Sequence, residues 1–437
     1  MDSVMVGFLG IAILLVMMAL GFQIAVCMGV SGIIGFTMLV GFKAGLHLAA
    51  TQAFSVCSNY SYTVIPLFML MGLIIYSSGL ARDVYDAMER WVGRLRGGLM
   101  MATTAAAAVF GAANGSSIAA SVTFTKISIP EMIRLGYHRG LACGSIAAAG
   151  TLSAIIPPSA LLVIYAILTE QSIGKCLMAG IIPGLLTTVA YMLLIWFIAI
   201  VKPEMIPRGQ SHTIGEKLTS LKSVWPLPLI GFVVLFGLYT GIFTPTEASA
   251  IGAFMAIMIP MVYKSKRSNI SQILKESAAG TLGSSVMIFT ILIGAFIFSS
   301  FLAVSRVPLV LAELAINSGL SRIFILLLIL VMFFIMGTFM SATAMLVVTM
   351  PIVFPIITTL GYDPIWFAII SVKMAEFGVM TPPVGLNVYA VKGAAPAEVR
   401  LEEIFKGVFP FIGVEVLVMA ILIAFPEIVL LIPNAMN

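Results

Sequence analysis

The sequence predicts an all-α polytopic membrane protein made of two inverted-topology repeats, with about ten spans and two re-entrant hairpins. Three observations carry this prediction. Hydrophobic residues make up 61% of the chain and charged residues 9%, with a mean hydropathy of +1.14, and apolar runs long enough to cross a bilayer recur from Val4 to the C-terminus. The chain also repeats itself: Pro130, Leu135, Gly136, Tyr137, Pro157 and Pro158 return 225 residues later as Pro355, Leu360, Gly361, Tyr362, Pro382 and Pro383. Finally, lysines and arginines gather in alternate connections, which fixes orientation.

The first repeat covers residues 1–201. Spans are expected near 4–22, 24–41 and 62–79, followed by a charged amphipathic stretch at 80–96. Asp2 stands where a signal peptide carries basic residues, so the first run reads as a retained span. A segment at 97–134 is broken by Gly111–Ser117 (GAANGSS), a helix at 140–168 is interrupted at Pro157-Pro158, and a last span covers 176–201. Proline removes a backbone donor and breaks a helix, so the Pro-Pro pair marks a gap within an apolar run.

A polar linker, 202–223, leads to the second repeat, 224–437. Its spans are expected at 224–241, 246–263 and 281–301, with a basic stretch at 264–276 and an amphipathic piece at 302–318. A hairpin at 320–358 is broken near Gly337–Thr343 (GTFMSAT), a helix at 364–391 is interrupted at Pro382-Pro383, and a last span covers 404–431. With the N-terminus outside, the inside receives Arg82, Arg90, Arg94, Arg96, Lys126, Arg134, Arg139, the linker cations, Lys264, Lys266, Arg267, Lys275, Lys392, Arg400 and Lys406. Each half has five spans plus a hairpin, an odd number, so the second half is inserted upside down.

Irregular backbone survives at membrane depth only where protein or a water-filled cavity satisfies it. Matching interruptions in two halves point to a transporter's binding site. A broken helix offers carbonyl and hydroxyl oxygens that suit a hard cation such as Na⁺, and N–H groups that suit an anion. One cation site is expected from Asn114 and Ser117 with backbone oxygens near Ser153, Ile156 and Pro158. A second is expected from Gly337, Gly378, Thr381 and Val384. Small residues in membrane helices more often permit close packing; their recurrence in register with the Pro-Pro pairs moves the balance to a site.

Ionisable residues inside spans are functional suspects. Lys373 and Glu376 stand at i, i+3 and are expected to pair on one helix face, whereas Glu415 has no evident partner. Glu247 in Thr244–Glu247 is expected to cap a helix start. The four cysteines, Cys27, Cys57, Cys143 and Cys176, read as buried thiols without paired spacing. The net charge of +5 concerns topology, with no nucleic-acid partner implied. A nucleotide-binding loop and Cys/His metal spacing are both absent. An intramembrane protease using Ser116 or Ser117 lacks a buried base, because His47, His138 and His212 fall in predicted loops or span ends.

Four stretches resemble the large membrane subunit (DctM type) of tripartite ATP-independent periplasmic (TRAP) transporters. They are Pro66–Gly72 (PLFMLMG), Ile155–Ser159 (IIPPS), Phe243–Ala248 (FTPTEA) and Glu376–Asn387 (EFGVMTPPVGLN). The resemblance implies a Na⁺-driven elevator-type secondary transporter of the ion-transporter superfamily, in which scaffold and transport domains are interleaved between the repeats. It also implies a small four-helix membrane subunit, a periplasmic substrate-binding protein and a bacterial inner-membrane location with both termini periplasmic. The cargo expected is a small organic anion, a carboxylate or sulfonate, with Ser116, Ser159, Ser341, Thr343 and Asn387 as contacts. Many family members carry an acid in the second hairpin where this chain has the neutral Ser341. The nearest alternatives are a stand-alone sodium/carboxylate symporter and a channel, the latter disfavoured by twin cation sites.

Overall fold

The computed structural model describes residues 2–207, 212–262 and 270–436, without the side chains of residues 112–114 and 262. Among them every regular element is helical. The first half runs α1 (Ser3–Ala19), α2 (Ile24–Val40), α3 (Phe42–Ser58), α4 (Val64–Ser77), α5 (Leu80–Val92), α6 (Gly98–Asn114), α7 (Ser117–Arg134), α8 (Arg139–Thr151), α9 (Ala160–Leu168), α10 (Ile173–Ala179) and α11 (Ile181–Val201). The second runs α12 (Ile214–Val224), α13 (Pro226–Tyr239), α14 (Pro245–Val262), α15 (Ile270–Ser305), α16 (Val307–Asn317), α17 (Arg322–Phe339), α18 (Ala342–Thr359), α19 (Pro364–Val379), α20 (Leu386–Ala394), α21 (Leu401–Ala424) and α22 (Glu427–Ala435).

The interruptions fall where the sequence places them. Gly115 takes φ +62 in the turn between α6 and α7, a conformation that glycine adopts without steric cost. Met340 and Ser341 separate α17 from α18, and both Pro-Pro bonds are cis. Other expectations need correction. Residues 42–58, which carried no expectation, form α3, and this puts His47 and Cys57 on an exposed helical surface. The span expected at 281–301 begins at Ile270, because Ile273 and Ser277 continue its buried face one turn at a time. The linker contains a helix, α12, started by a capping box in which Thr213 and Glu216 bond each other's backbone N–H. The basic stretch 264–276 lies partly outside the described residues.

Among the described residues six helical stretches are long and apolar enough to cross a membrane, and α12 with α13, bent by 57°, makes a seventh. About ten spans were expected. Two of the six, α17 and α18, are the arms of the second hairpin, so four of the expected spans are long enough as they stand and α12 with α13 is a fifth. The halves of each broken helix are too short singly, and α1, α2 and α14 stand at the lower edge of spanning length.

Packing sorts the helices around one cavity. On one side α2, α4, α14 and α15 pack on one another; a Cβ on Gly32 would meet the Phe298 backbone at 2.9 Å. On the other, α7, α8, α20 and α21 are in contact, as are α17, α18 and α19. Gly144 and Gly407 bring α8 and α21 together backbone to backbone, the close approach that small residues allow.

Candidate functional site

Each hairpin tip packs against its own half's break. A Cβ on Gly111 would lie 2.6 Å from Ser153 Cα, and one on Gly378 would lie 2.6 Å from Gly337 Cα. Ser153 and Gly378 are counterparts at the 225 offset, so both tips meet matching positions. Between the tips and the helices α4 and α15 lies a cavity of about 340 Å³. The tips contribute Gly115–Ala119 and Ser341–Thr343, the breaks contribute Pro158, Ala160 and Leu386, and α4 and α15 add Ile65, Phe68, Ser284 and Met287.

The starts of α7, α9, α18 and α20 all reach this cavity. The first N–H groups of a helix have no intrahelical acceptor and carry a partial positive charge. Ser116 and Ser341 cap α7 and α18 by accepting from Ala119 N and Ala344 N, and both line the cavity along with Thr343. Glu376 is the only charged residue in the wall among the described residues.

The structure thus gathers three of the five expected cargo contacts. Ser159 and Asn387 are corrections. Ser159 is buried; its hydroxyl donates to the Ala154 carbonyl and accepts from Leu162 N at 3.3 Å, because it caps α9. Asn387 is fully buried behind the wall, where its Nδ2 donates to the Ala147 carbonyl at 3.4 Å.

The expected cation ligands are distributed as follows. Ser117 Oγ donates to Glu376 Oε1 at 3.2 Å. Ser153 is buried in a short 3-10 turn, and its hydroxyl has no protein partner. Ile156 is half-buried against Gly184, and the Pro158 carbonyl faces Gly115. In the second half Gly337 adjoins Gly378, the Thr381 hydroxyl donates to the Phe377 carbonyl at 2.6 Å, and Val384 is half-buried beyond the proline pair. The side chain of Asn114 lies outside the described residues.

The expected Lys373–Glu376 pair is corrected too. Lys373 reaches away from Glu376 to Glu415 Oε2 at 2.8 Å and donates to Thr187 Oγ1 at 3.0 Å. The Glu415 contact is one of charge and distance, since that oxygen lacks an aligned hydrogen bond. Tyr191 donates to Glu415 Oε1 at 2.6 Å. The pairing spans α11, α19 and α21, and sequence separation hid it. Glu247 caps α14 as expected, accepting from Thr244 N at 2.8 Å.

Sequence reasoning also missed Ser284 and Met287 on α15. The available signal was Ser284-Ser285, a polar pair within an apolar span.

A family model for the DctM component of tripartite ATP-independent periplasmic transporters matches residues 11–428. The chain belongs to the DctM family. It is a multi-pass membrane transporter subunit and not an enzyme. It is 35% identical over 410 residues to the C4-dicarboxylate TRAP transporter large permease protein of Pseudomonas aeruginosa, covering 93% of each chain. It is 31% identical over 416 residues to the isethionate TRAP transporter permease protein of Oleidesulfovibrio alaskensis, covering 94% of this chain and 64% of that one. The fold resembles the YdaH transporter of Alcanivorax borkumensis, with a TM-score of 0.62 at 14% identity over 89% of this chain and 90% of that one.

Proposed function

We propose that this DctM-family chain is the large membrane subunit of a sodium-driven, three-part importer of a small organic anion in a bacterial inner membrane. One observation carries the reading: four helix N-termini reach a largely apolar cavity whose polar groups are serine and threonine hydroxyls and the Glu376 carboxylate, with no basic side chain among its described residues. Helix starts attract anions without a fixed cation, which suits a cargo that must be released as well as bound. The anion takes the unsatisfied N–H groups and the hydroxyls of Ser116, Ser341 and Thr343.

Sodium ions at the two tip–break junctions complete the site. The first uses Asn114, Ser117, Ser153, Ile156 and Pro158, and the second Gly337, Gly378, Thr381 and Val384. Backbone carbonyls released by a broken helix are natural ligands for a hard cation. The two sites flank the cargo and make its binding depend on theirs. Relatives named for a C4-dicarboxylate and for isethionate support a small carboxylate or sulfonate.

The hairpins and broken helices move together as one block against α1, α2, α4, α14 and α15, an elevator built from two inverted repeats, with both termini in the periplasm. A periplasmic binding protein delivers the anion, and a small four-helix subunit completes the membrane part. The test is uptake into proteoliposomes holding both membrane subunits, with the binding protein outside. Uptake is expected only with an inward sodium gradient; equal uptake with sodium balanced across the membrane would refute the reading.

A further inference from the structure

We propose a third monovalent-cation site, within the cavity wall, formed by Glu376, Asn387 and Ser121 with Ser117. The first observation is a set of orphaned oxygens. Glu376 Oε2, Asn387 Oδ1 and Ser121 Oγ are all buried without a hydrogen-bond partner, on residues that are 2%, 0% and 0% exposed. Buried polar atoms are nearly always satisfied, and an exception in a native fold calls for an unseen partner.

The second observation is convergence. Ser117 and Ser121 stand one turn apart on the same face of α7, and Ser117 Oγ already touches Glu376. The Ser117 carbonyl and the Ser121 hydroxyl both lie against Gly150 on α8. One turn earlier on α8, the Ala147 carbonyl holds the amide nitrogen of Asn387. That contact uses the donor end of the amide and leaves Oδ1 as a bare acceptor. Ser121 and Asn387 therefore meet α8 at positions three residues apart, and Ser117, one turn from Ser121 on α7, ties Glu376 to the same group.

The third observation is charge. Among the described residues Glu376 has no ion-pair partner, because Lys373 is committed to Glu415. One carboxylate with three neutral oxygens makes a hard, singly charged donor set, which matches a monovalent cation. The charge argument rests on the anionic cargo of the proposed function: a bare carboxylate in the wall would repel that anion, and a bound cation cancels it. The position has no symmetric mate, since the counterpart of Glu376 in the first half is Thr151. The site thus lacks the duplication of the two junctions, and it adjoins the first of them through Ser117.

The test compares wild type with Glu376→Gln and with the smaller change Ser121→Ala, which keeps the helix and removes one oxygen. Purified protein is titrated with NaCl against choline chloride at neutral pH, with thermal stability as the readout, and uptake is measured against sodium concentration and pH. Losing the charge is expected to raise the half-saturating sodium concentration by roughly tenfold or more and to lower the sodium-to-cargo ratio by about one. Ser121→Ala is expected to raise it several-fold. Sodium-dependent wild-type uptake with both variants titrating as wild type overturns this site and leaves the proposed function standing. So does a Glu376→Gln variant that loses only pH dependence, since a proton would then be the occupant. Uptake with no sodium requirement in wild type overturns both.

Discussion

Replacing Glu415 tests whether the buried charge network holds the broken helix in place. Lys373 and Glu415 face each other at 2.8 Å with side chains 0% and 4% exposed. At an effective dielectric of about 20 their attraction is roughly 6 kcal/mol, and desolvation of the two ions offsets most of it. Removing one partner leaves the other charge buried. Glu415→Leu leaves the ammonium with Thr187 as its hydrogen-bond partner, and it strips Tyr191 of its acceptor. The expected cost is about 3–5 kcal/mol. Lys373→Met should cost a similar amount, because Glu415 is then a lone buried carboxylate. The pair Lys373→Met/Glu415→Leu removes both charges and should lie within about 1–2 kcal/mol of wild type. Equilibrium unfolding of the four proteins in detergent closes the cycle, and the coupling should exceed about 3 kcal/mol. Single changes that cost under about 1 kcal/mol each, and that simply add, would refute the argument.

Three further outcomes follow from the site. Ser341→Asp keeps a good helix cap while placing a negative charge in the cavity, so uptake of an organic anion should fall at least about tenfold; undiminished uptake would remove Ser341 from the cargo path. Gly378→Ala places a Cβ 2.6 Å from Gly337 Cα and 3.0 Å from Thr338 N, backbone atoms that cannot swing aside. It should destabilise the protein by about 1–3 kcal/mol and weaken sodium stimulation of uptake, as read by thermal unfolding and flux. Hydrogen bonds from the Thr213 backbone and hydroxyl hold the Glu216 carboxyl below its usual range. A depressed carboxylate contributes stability above its unfolded pKa and loses it as pH falls through the folded one. Hydrogen-exchange protection at the start of α12, taken relative to the intrinsic rate at each pH, should therefore be high at neutral pH and fall on acidification. Thr213→Ala, costing about 1 kcal/mol, removes the hydroxyl bond but keeps the backbone one and should weaken that pH dependence, whereas Glu216→Gln should abolish it.

The broken elements were legible because their signals are local and doubled. Pro157-Pro158 and Pro382-Pro383 forbid a continuous helix whatever surrounds them, and the 225-residue register tied each break to a glycine-bearing tip. α3 escaped because Phe42–Ser58 mixes polar and apolar residues on an exposed helix that shows neither a continuous apolar run nor a clean buried stripe. The cavity-lining serines were half legible for a related reason. Ser116, Ser159 and Ser341 are all helix-capping serines, alike in sequence, and only tertiary packing decides which of them opens onto the cavity. Ser159 is enclosed beside Ala154; the other two stand at tips with nothing above them but the cavity.

The charges show where one-dimensional reasoning must fail. Spacing of i, i+3 licenses a Lys373–Glu376 pair, and that pair would have left Glu415 orphaned in the last span. Helix packing reverses the assignment, since α19 contacts α21 and α21 contacts α11. A lysine stem is long enough to choose either neighbour, and the packing sets it 2.8 Å from Glu415. Taking Lys373 for Glu415 frees Glu376 to face the cavity. The network therefore does more than brace α19: by withholding Lys373, it leaves the wall's only described carboxylate without an ion-pair partner among the described residues.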